Sequence, residues 1–79
     1  MAWEGLGGSI NPGDTHFWWY SWGGYHNWDL ASARPLNPGS VLRVSGHGSK
    51  LEGNNNYTYF VNVTNEGPFP VQYHLTGPS

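Results

Sequence analysis

The sequence predicts a small all-β domain, an antiparallel β-sandwich or barrel, and three observations carry that reading. Apolar and polar residues alternate with period two in most stretches between turn signals. The chain of 79 residues holds 12 glycines and 6 prolines, which suits tight turns and excludes a helical bundle. No stretch keeps a 3.6-residue apolar period beyond one turn; the best candidate, residues 28–34, stops at Pro35. A chain this short makes one domain.

In chain order, Asn11-Pro12-Gly13 is a turn that opens a strand over residues 15–22. Asn37-Pro38-Gly39 opens another over residues 40–46, with Leu42 and Val44 inward and Val41, Arg43 and Ser45 outward. Residues 46–56, rich in glycine and asparagine, read as a connection. A hairpin is then expected. Tyr57, Tyr59, Val61 and Val63 share one face, with Thr58, Phe60 and Asn62 on the other. Asn65-Glu66-Gly67-Pro68 has turn chemistry, and Phe69, Val71, Tyr73 and Leu75 then share a face opposite Gln72 and His74. The two apolar faces match, as strands paired side by side require. Pro70 cannot donate to a ladder, which places it on an edge strand or at a strand end. The turns Ile10-Asn11-Pro12-Gly13 and Leu36-Asn37-Pro38-Gly39 lie 26 residues apart, and Thr64-Asn65-Glu66-Gly67 follows loosely 28 residues on. That spacing raises a threefold internal repeat, although the strands after the turns are unlike.

The segment YTYFVNVTNEGPFPVQYHL, residues 57–75, resembles the last hairpin of bacterial immunoglobulin-like modules of the CARDB type. The shared habit is an alternating Tyr/Val strand, then Asn-x-Gly-x, then a second alternating strand, over about a quarter of the chain. The resemblance implies an immunoglobulin-like sandwich with a stalk or ligand-display role and no shared active site.

Composition excludes several functions. Three basic residues (Arg34, Arg43, Lys50) against five acidic ones give a net charge of −2 without a basic patch, so no nucleic-acid partner is expected. No apolar run approaches the ~18 residues of a membrane span. The start, Met1-Ala2-Trp3-Glu4-Gly5, lacks a basic and then apolar leader, so a soluble chain without a signal peptide is expected. There is no cysteine, and His16, His26, His47 and His74 lack any i, i+2 or i, i+4 spacing; no metal or other cofactor is expected. Glu4, Asp14, Asp29, Glu52 and Glu66 all fall in expected turns, a poor scaffold for a catalytic carboxylate pair. With no nucleophile elbow and no phosphate-binding glycine loop either, the chain does not read as an enzyme. Asn56-Tyr57-Thr58 and Asn62-Val63-Thr64 fit the glycosylation pattern and are read as chance.

What remains is the aromatic content, 16% of the chain. Residues 16–22 are aromatic on both strand faces: His16, Trp18, Tyr20 and Trp22 on one, Phe17 and Trp19 on the other. The polar tips of the first set suit a wet surface, which assigns Phe17 and Trp19 to the core. The loop that follows mixes rings with Asn, Asp and His, the residue types that stack on a sugar ring and orient its hydroxyls without net charge. The expected ligand residues are therefore His16, Trp18, Tyr20, Trp22, Tyr25, His26, Asn27, Trp28 and Asp29, and the expected ligand is a saccharide bound without catalysis, as by a lectin. Phe60, set among amides, is a second candidate platform. A plainer reading of the loop has Tyr25 and Trp28 plugging the end of the sandwich, and the competing function is a structural module whose aromatic faces form subunit contacts. Both readings expect a homo-oligomer, because a chain this small carries more aromatic area than it can enclose.

Overall fold

The computed structural model describes residues 3–25 and 31–77. Six strands follow in order: β1 (Trp3–Ile10), β2 (Thr15–Gly23), β3 (Ser32–Pro35), β4 (Leu42–Gly53), β5 (Asn56–Asn65) and β6 (Val71–Gly77). They form two three-stranded antiparallel sheets, β1-β6-β3 and β2-β5-β4, which pack face to face as an open sandwich and not a closed barrel. No described residue is helical, and residues 32–34, the end of the best helix candidate, are strand. The N-terminal strand β1 had no alternating signal, because glycines interrupt its pattern at positions 5, 7 and 8. Gly7 lies against the Tyr73 carbonyl so closely that a Cβ there would collide with it, which is why the β1 bulge needs glycine.

The core comes from the alternating residues of both central strands. Tyr59, Val61 and Val63 of β5 face Val71, Tyr73 and Leu75 of β6, with Ile10 and Ala31 closing the ends. The hairpin expected of these two segments does not form. Strands β5 and β6 lie in different sheets and are not paired; their apolar faces meet across the sandwich instead. The hairpin in this region joins β4 to β5. Its two-residue turn, Asn54-Asn55, has both residues at positive φ (51° and 64°), the conformation a tight hairpin turn needs and that asparagine tolerates best after glycine. The expected connection over residues 46–56 is accordingly strand for much of its length, with the β4–β5 register shifting between Ser45 and Gly48.

The three similar turns share a topological role without making the strands repeat. Residues 11–14 carry the chain from β1 into β2, residues 36–41 from β3 into β4, and residues 66–70 from β5 into β6, each time from one sheet to the other. Each turn is built on its asparagine. The Asn11 carbonyl accepts from the Asp14 N–H (3.0 Å), and Asn37 Oδ1 accepts from the Gln72 N–H (2.8 Å). Asn65, fully buried, donates from Nδ2 to the carbonyls of Ile10 and Phe69 (both 2.9 Å) and accepts at Oδ1 from the Gly67 N–H (2.8 Å). Pro70 stands just before β6, at a strand end.

Candidate functional site

Strand β2 reaches the site face through its register on β5. Thr15, Phe17, Trp19, Ser21 and Gly23 lie opposite Thr64, Asn62, Phe60, Thr58 and Asn56, so these ten residues share the outer face of the β2-β5-β4 sheet. Phe17 is 75% exposed and Trp19 66%, while Phe60 beside Trp19 is 38% exposed. Hydroxyl and amide groups flank the rings. Ser21 Oγ lies 3.3 Å from Thr58 Oγ1, Thr15 Oγ1 lies 2.8 Å from Thr64 Oγ1, and Asn62 stands opposite Phe17. On the far side of Phe60 the β4 neighbour is Gly48, which adds no side chain; the Phe60 ring reaches to 3.7 Å from where a Cβ would stand there. The nearest cations, Lys50 and Arg43, are engaged by Glu52 (3.2 Å) and Glu66 (2.8 Å) at the margins. The result is an exposed aromatic strip with short polar groups on both sides.

This arrangement reverses the expected faces of β2. Phe17 and Trp19, assigned to the core, are the most exposed rings of the strand. His16, Trp18, Tyr20 and Trp22 point inward, opposite Val63, Val61, Tyr59 and Tyr57, and Trp18, Tyr20 and Trp22 pack on the core. The reason is a polar partner inside. The Tyr73 hydroxyl, carried in by β6 of the opposite sheet, accepts from Trp18 Nε1–H (2.9 Å) and lies 2.7 Å from His16 Nδ1. The tips of His16 and Trp18 are thus satisfied in the interior by one shared hydroxyl, whereas Phe17 has none to satisfy. Trp18 and Tyr20 stack nearly parallel with ring centroids 6.4 Å apart, and Trp18 meets the Tyr73 ring edge-on at 6.5 Å.

Of the remaining expected ligand residues, Tyr25 is exposed at the end of the sheet, its ring edge-on to Tyr57 at 5.4 Å, beside the bond from the Tyr59 hydroxyl to the Gly24 carbonyl (3.1 Å). His26, Asn27, Trp28 and Asp29 lie outside the described residues. In the sequence Phe60 stands isolated among amides. Its partnership with Trp19 depends on the β2–β5 register, which alternation alone does not specify.

The outer face of the other sheet is polar. Glu4 joins His74 Nδ1 (3.0 Å) and Arg34 Nη1 (2.9 Å), and these partners, His74 first, hold its carboxyl below the usual 4.5. Beside them an open groove of about 390 Å³ is floored by Gly5, Gly7 and Gly8 and walled by Leu36, Gln72 and His74. Among the described residues no three His, Asp or Glu side chains converge as a metal site would require.

Burial raises the Tyr73 phenol above the ordinary 10.0, and burial followed by the neighbouring Tyr73 raises Tyr20. A raised acid contributes stability below its ordinary value and loses it as pH climbs through the folded-state value. Thermal stability is therefore expected to fall over the interval above about pH 10, in step with tyrosinate absorbance. A flat stability profile across that interval would contradict the buried placement of these two rings.

Comparison with protein-family models, with curated proteins and with solved structures gave no match.

Proposed function

We propose that the chain is a non-catalytic carbohydrate-binding module that lays a saccharide on the Phe17–Trp19–Phe60 strip. The observation that carries this reading is the exposure of three rings at adjoining positions on one rigid sheet face, flanked by Ser, Thr and Asn. Exposed apolar surface of this kind costs solubility and marks an interaction site when it is contiguous. Rings fixed on a sheet present a flat apolar surface at low entropic cost, and a pyranose has a complementary C–H face. The flanking hydroxyls and the Asn62 amide would orient the sugar without a charge. In this reading His16, Trp18, Tyr20 and Trp22 hold β2 against the core from beneath and Tyr25 lies at the end of the strip.

Each hydroxyl bond to the protein replaces one to water, so a single site is weak and stacking supplies most of the affinity. Binding to a panel of immobilised neutral polysaccharides, read by depletion, tests the proposal. Trp19→Ala and Phe17→Ala are each expected to weaken binding at least about tenfold, the equivalent of about 1.4 kcal/mol, with thermal stability unchanged. Trp18→Ala should lower stability instead. Wild-type protein that binds no member of the panel, or Trp19→Ala protein that binds as well as wild type, would overturn the reading.

The alternative, an assembly module whose aromatic faces form homo-oligomer contacts, draws on the same exposure of Phe17 and Trp19. It differs in expecting these substitutions to change the oligomeric state and no saccharide to bind.

A further inference from the structure

Four strands lie at sheet edges, and three of them carry features that block pairing with another chain. Strand β1 has a register shift between Gly5 and Gly7 and the ion-paired Glu4. Strand β3 is four residues long and includes Arg34 and Pro35. Strand β4 is broken by two register shifts and carries Arg43, Lys50 and Glu52. Strand β2 has none of these. It runs nine residues, Thr-His-Phe-Trp-Trp-Tyr-Ser-Trp-Gly, in unbroken register with β5, without a proline, a lysine, an arginine or a carboxylate.

The backbone parity of β2 follows from the bonds at its two ends. The Asn65 N–H donates to the Asp14 carbonyl (3.1 Å), and the Gly24 N–H donates to the Asn55 carbonyl (2.7 Å). Hydrogen-bonded pairs recur every second residue in an antiparallel ladder. The even residues between them, His16, Trp18, Tyr20 and Trp22, therefore bond toward β5. Thr15, Phe17, Trp19, Ser21 and Gly23 direct their N–H and C=O groups away from β5, to an edge that no described strand pairs with.

We infer that this edge pairs antiparallel with β2 of a second copy of the chain, about a twofold axis at Trp19. Trp19 is the middle residue of the strand and one of the outward-bonding set. Full overlap then sets Trp19 against Trp19 of the second copy, Phe17 against Ser21 and Thr15 against Gly23. Each of these pairs exchanges two hydrogen bonds. No like charges meet, because β2 carries no charged side chain apart from a protonated His16, which would stand opposite Trp22. The contact is isologous and closed, so it stops at two copies.

Pairing would make one six-stranded sheet in which two aromatic strips become continuous. From Phe60 through both Trp19 rings to the second Phe60, the strip would cross three strand spacings, about 14 Å. The dimer does not require the saccharide reading; if that reading also holds, the dimer doubles the ligand surface.

Sedimentation and oxidative cross-linking test the inference without any ligand. Wild-type protein is expected to sediment at twice 8.8 kDa at micromolar concentration. Ser21→Pro removes an outward N–H, and Trp19→Lys sets two ammonium groups together at the axis. Both should sediment as the 8.8 kDa monomer with an unchanged amide infrared spectrum. The chain has no cysteine, so Trp19→Cys supplies a lone thiol. Two Cα atoms in a hydrogen-bonded pair lie about 5.5 Å apart, within the range of a disulfide, so Trp19→Cys should cross-link on oxidation while Phe60→Cys should not. A wild-type monomer would overturn the inference. So would a dimer that survives Trp19→Lys and dissociates in Phe60→Lys, because that pattern places the contact on the ring face. Failure of Trp19→Cys to cross-link would overturn it as well, including when Ser21→Pro does not fold. Loss of saccharide binding with the dimer intact would bear on the proposed function alone.

Discussion

Asn65→Ala is expected to unfold the domain at ordinary temperature or bring it to the edge of doing so. The Asn65 side chain is fully buried and makes three hydrogen bonds, to the Ile10 carbonyl, the Phe69 carbonyl and the Gly67 N–H. Alanine removes all three and leaves the backbone partners without their bonds. Each unsatisfied buried group costs about 1–3 kcal/mol. The sum rivals the whole stability of a small domain, on the order of 5 kcal/mol. The loss also falls at one corner, since Asn65 ties the end of β1, the approach to β6 and the turn between the sheets. Asn65→Asp is a sharper version of the test. Its carboxylate still accepts from Gly67 but cannot donate to the two carbonyls, and it brings a charge into a buried site. Urea unfolding of both variants checks this; a loss under about 1 kcal/mol in Asn65→Ala would mean that water replaces the missing amide.

Tyr73→Ala should cost about 3–5 kcal/mol, as for other buried aromatics. The ring is 1% exposed and packs across the sandwich against Trp18 and His16 of the opposite sheet. Tyr73→Phe isolates the hydroxyl. It keeps the ring but leaves Trp18 Nε1–H and His16 Nδ1 without the partner they share, at a cost of about 1–3 kcal/mol. The Phe variant should also shift tryptophan emission and weaken the alkaline loss of stability described above. If Tyr73→Phe is as stable as wild type, the inward orientation of Trp18 has another cause than this hydroxyl.

Several features of this protein follow from sequence alone. Alternation identifies strand residues wherever a single face is apolar, as in Val61, Val63, Val71 and Leu75, all of them fully buried. It also places Leu42 and Val44 against the core and leaves Val41 exposed. The Asn-Pro-Gly turns are legible because Gly13 and Gly39 adopt positive φ (81° and 77°), a region other residues enter only at a cost. These are local effects, and neighbouring residues suffice to specify them.

Tertiary structure decided the rest. Alternation is the same whether two strands lie side by side or face to face, so residues 57–75 could not reveal that β5 and β6 occupy opposite sheets. The deciding feature was the loop. A two-residue turn at Asn54-Asn55 keeps β4 and β5 in one sheet, whereas residues 66–70 are enough to cross to the other. Strand β2 posed a harder choice, with rings on both faces. Its orientation was settled by the Tyr73 hydroxyl, 55 residues away from Trp18 in the chain. Polar ring tips can turn inward where the opposite sheet carries a partner at the right depth, as Tyr73 does for His16 and Trp18. Phe17 and Trp19 are exposed because that partner stands on the other side of their strand, and they join Phe60, which alternation along β5 already places outward.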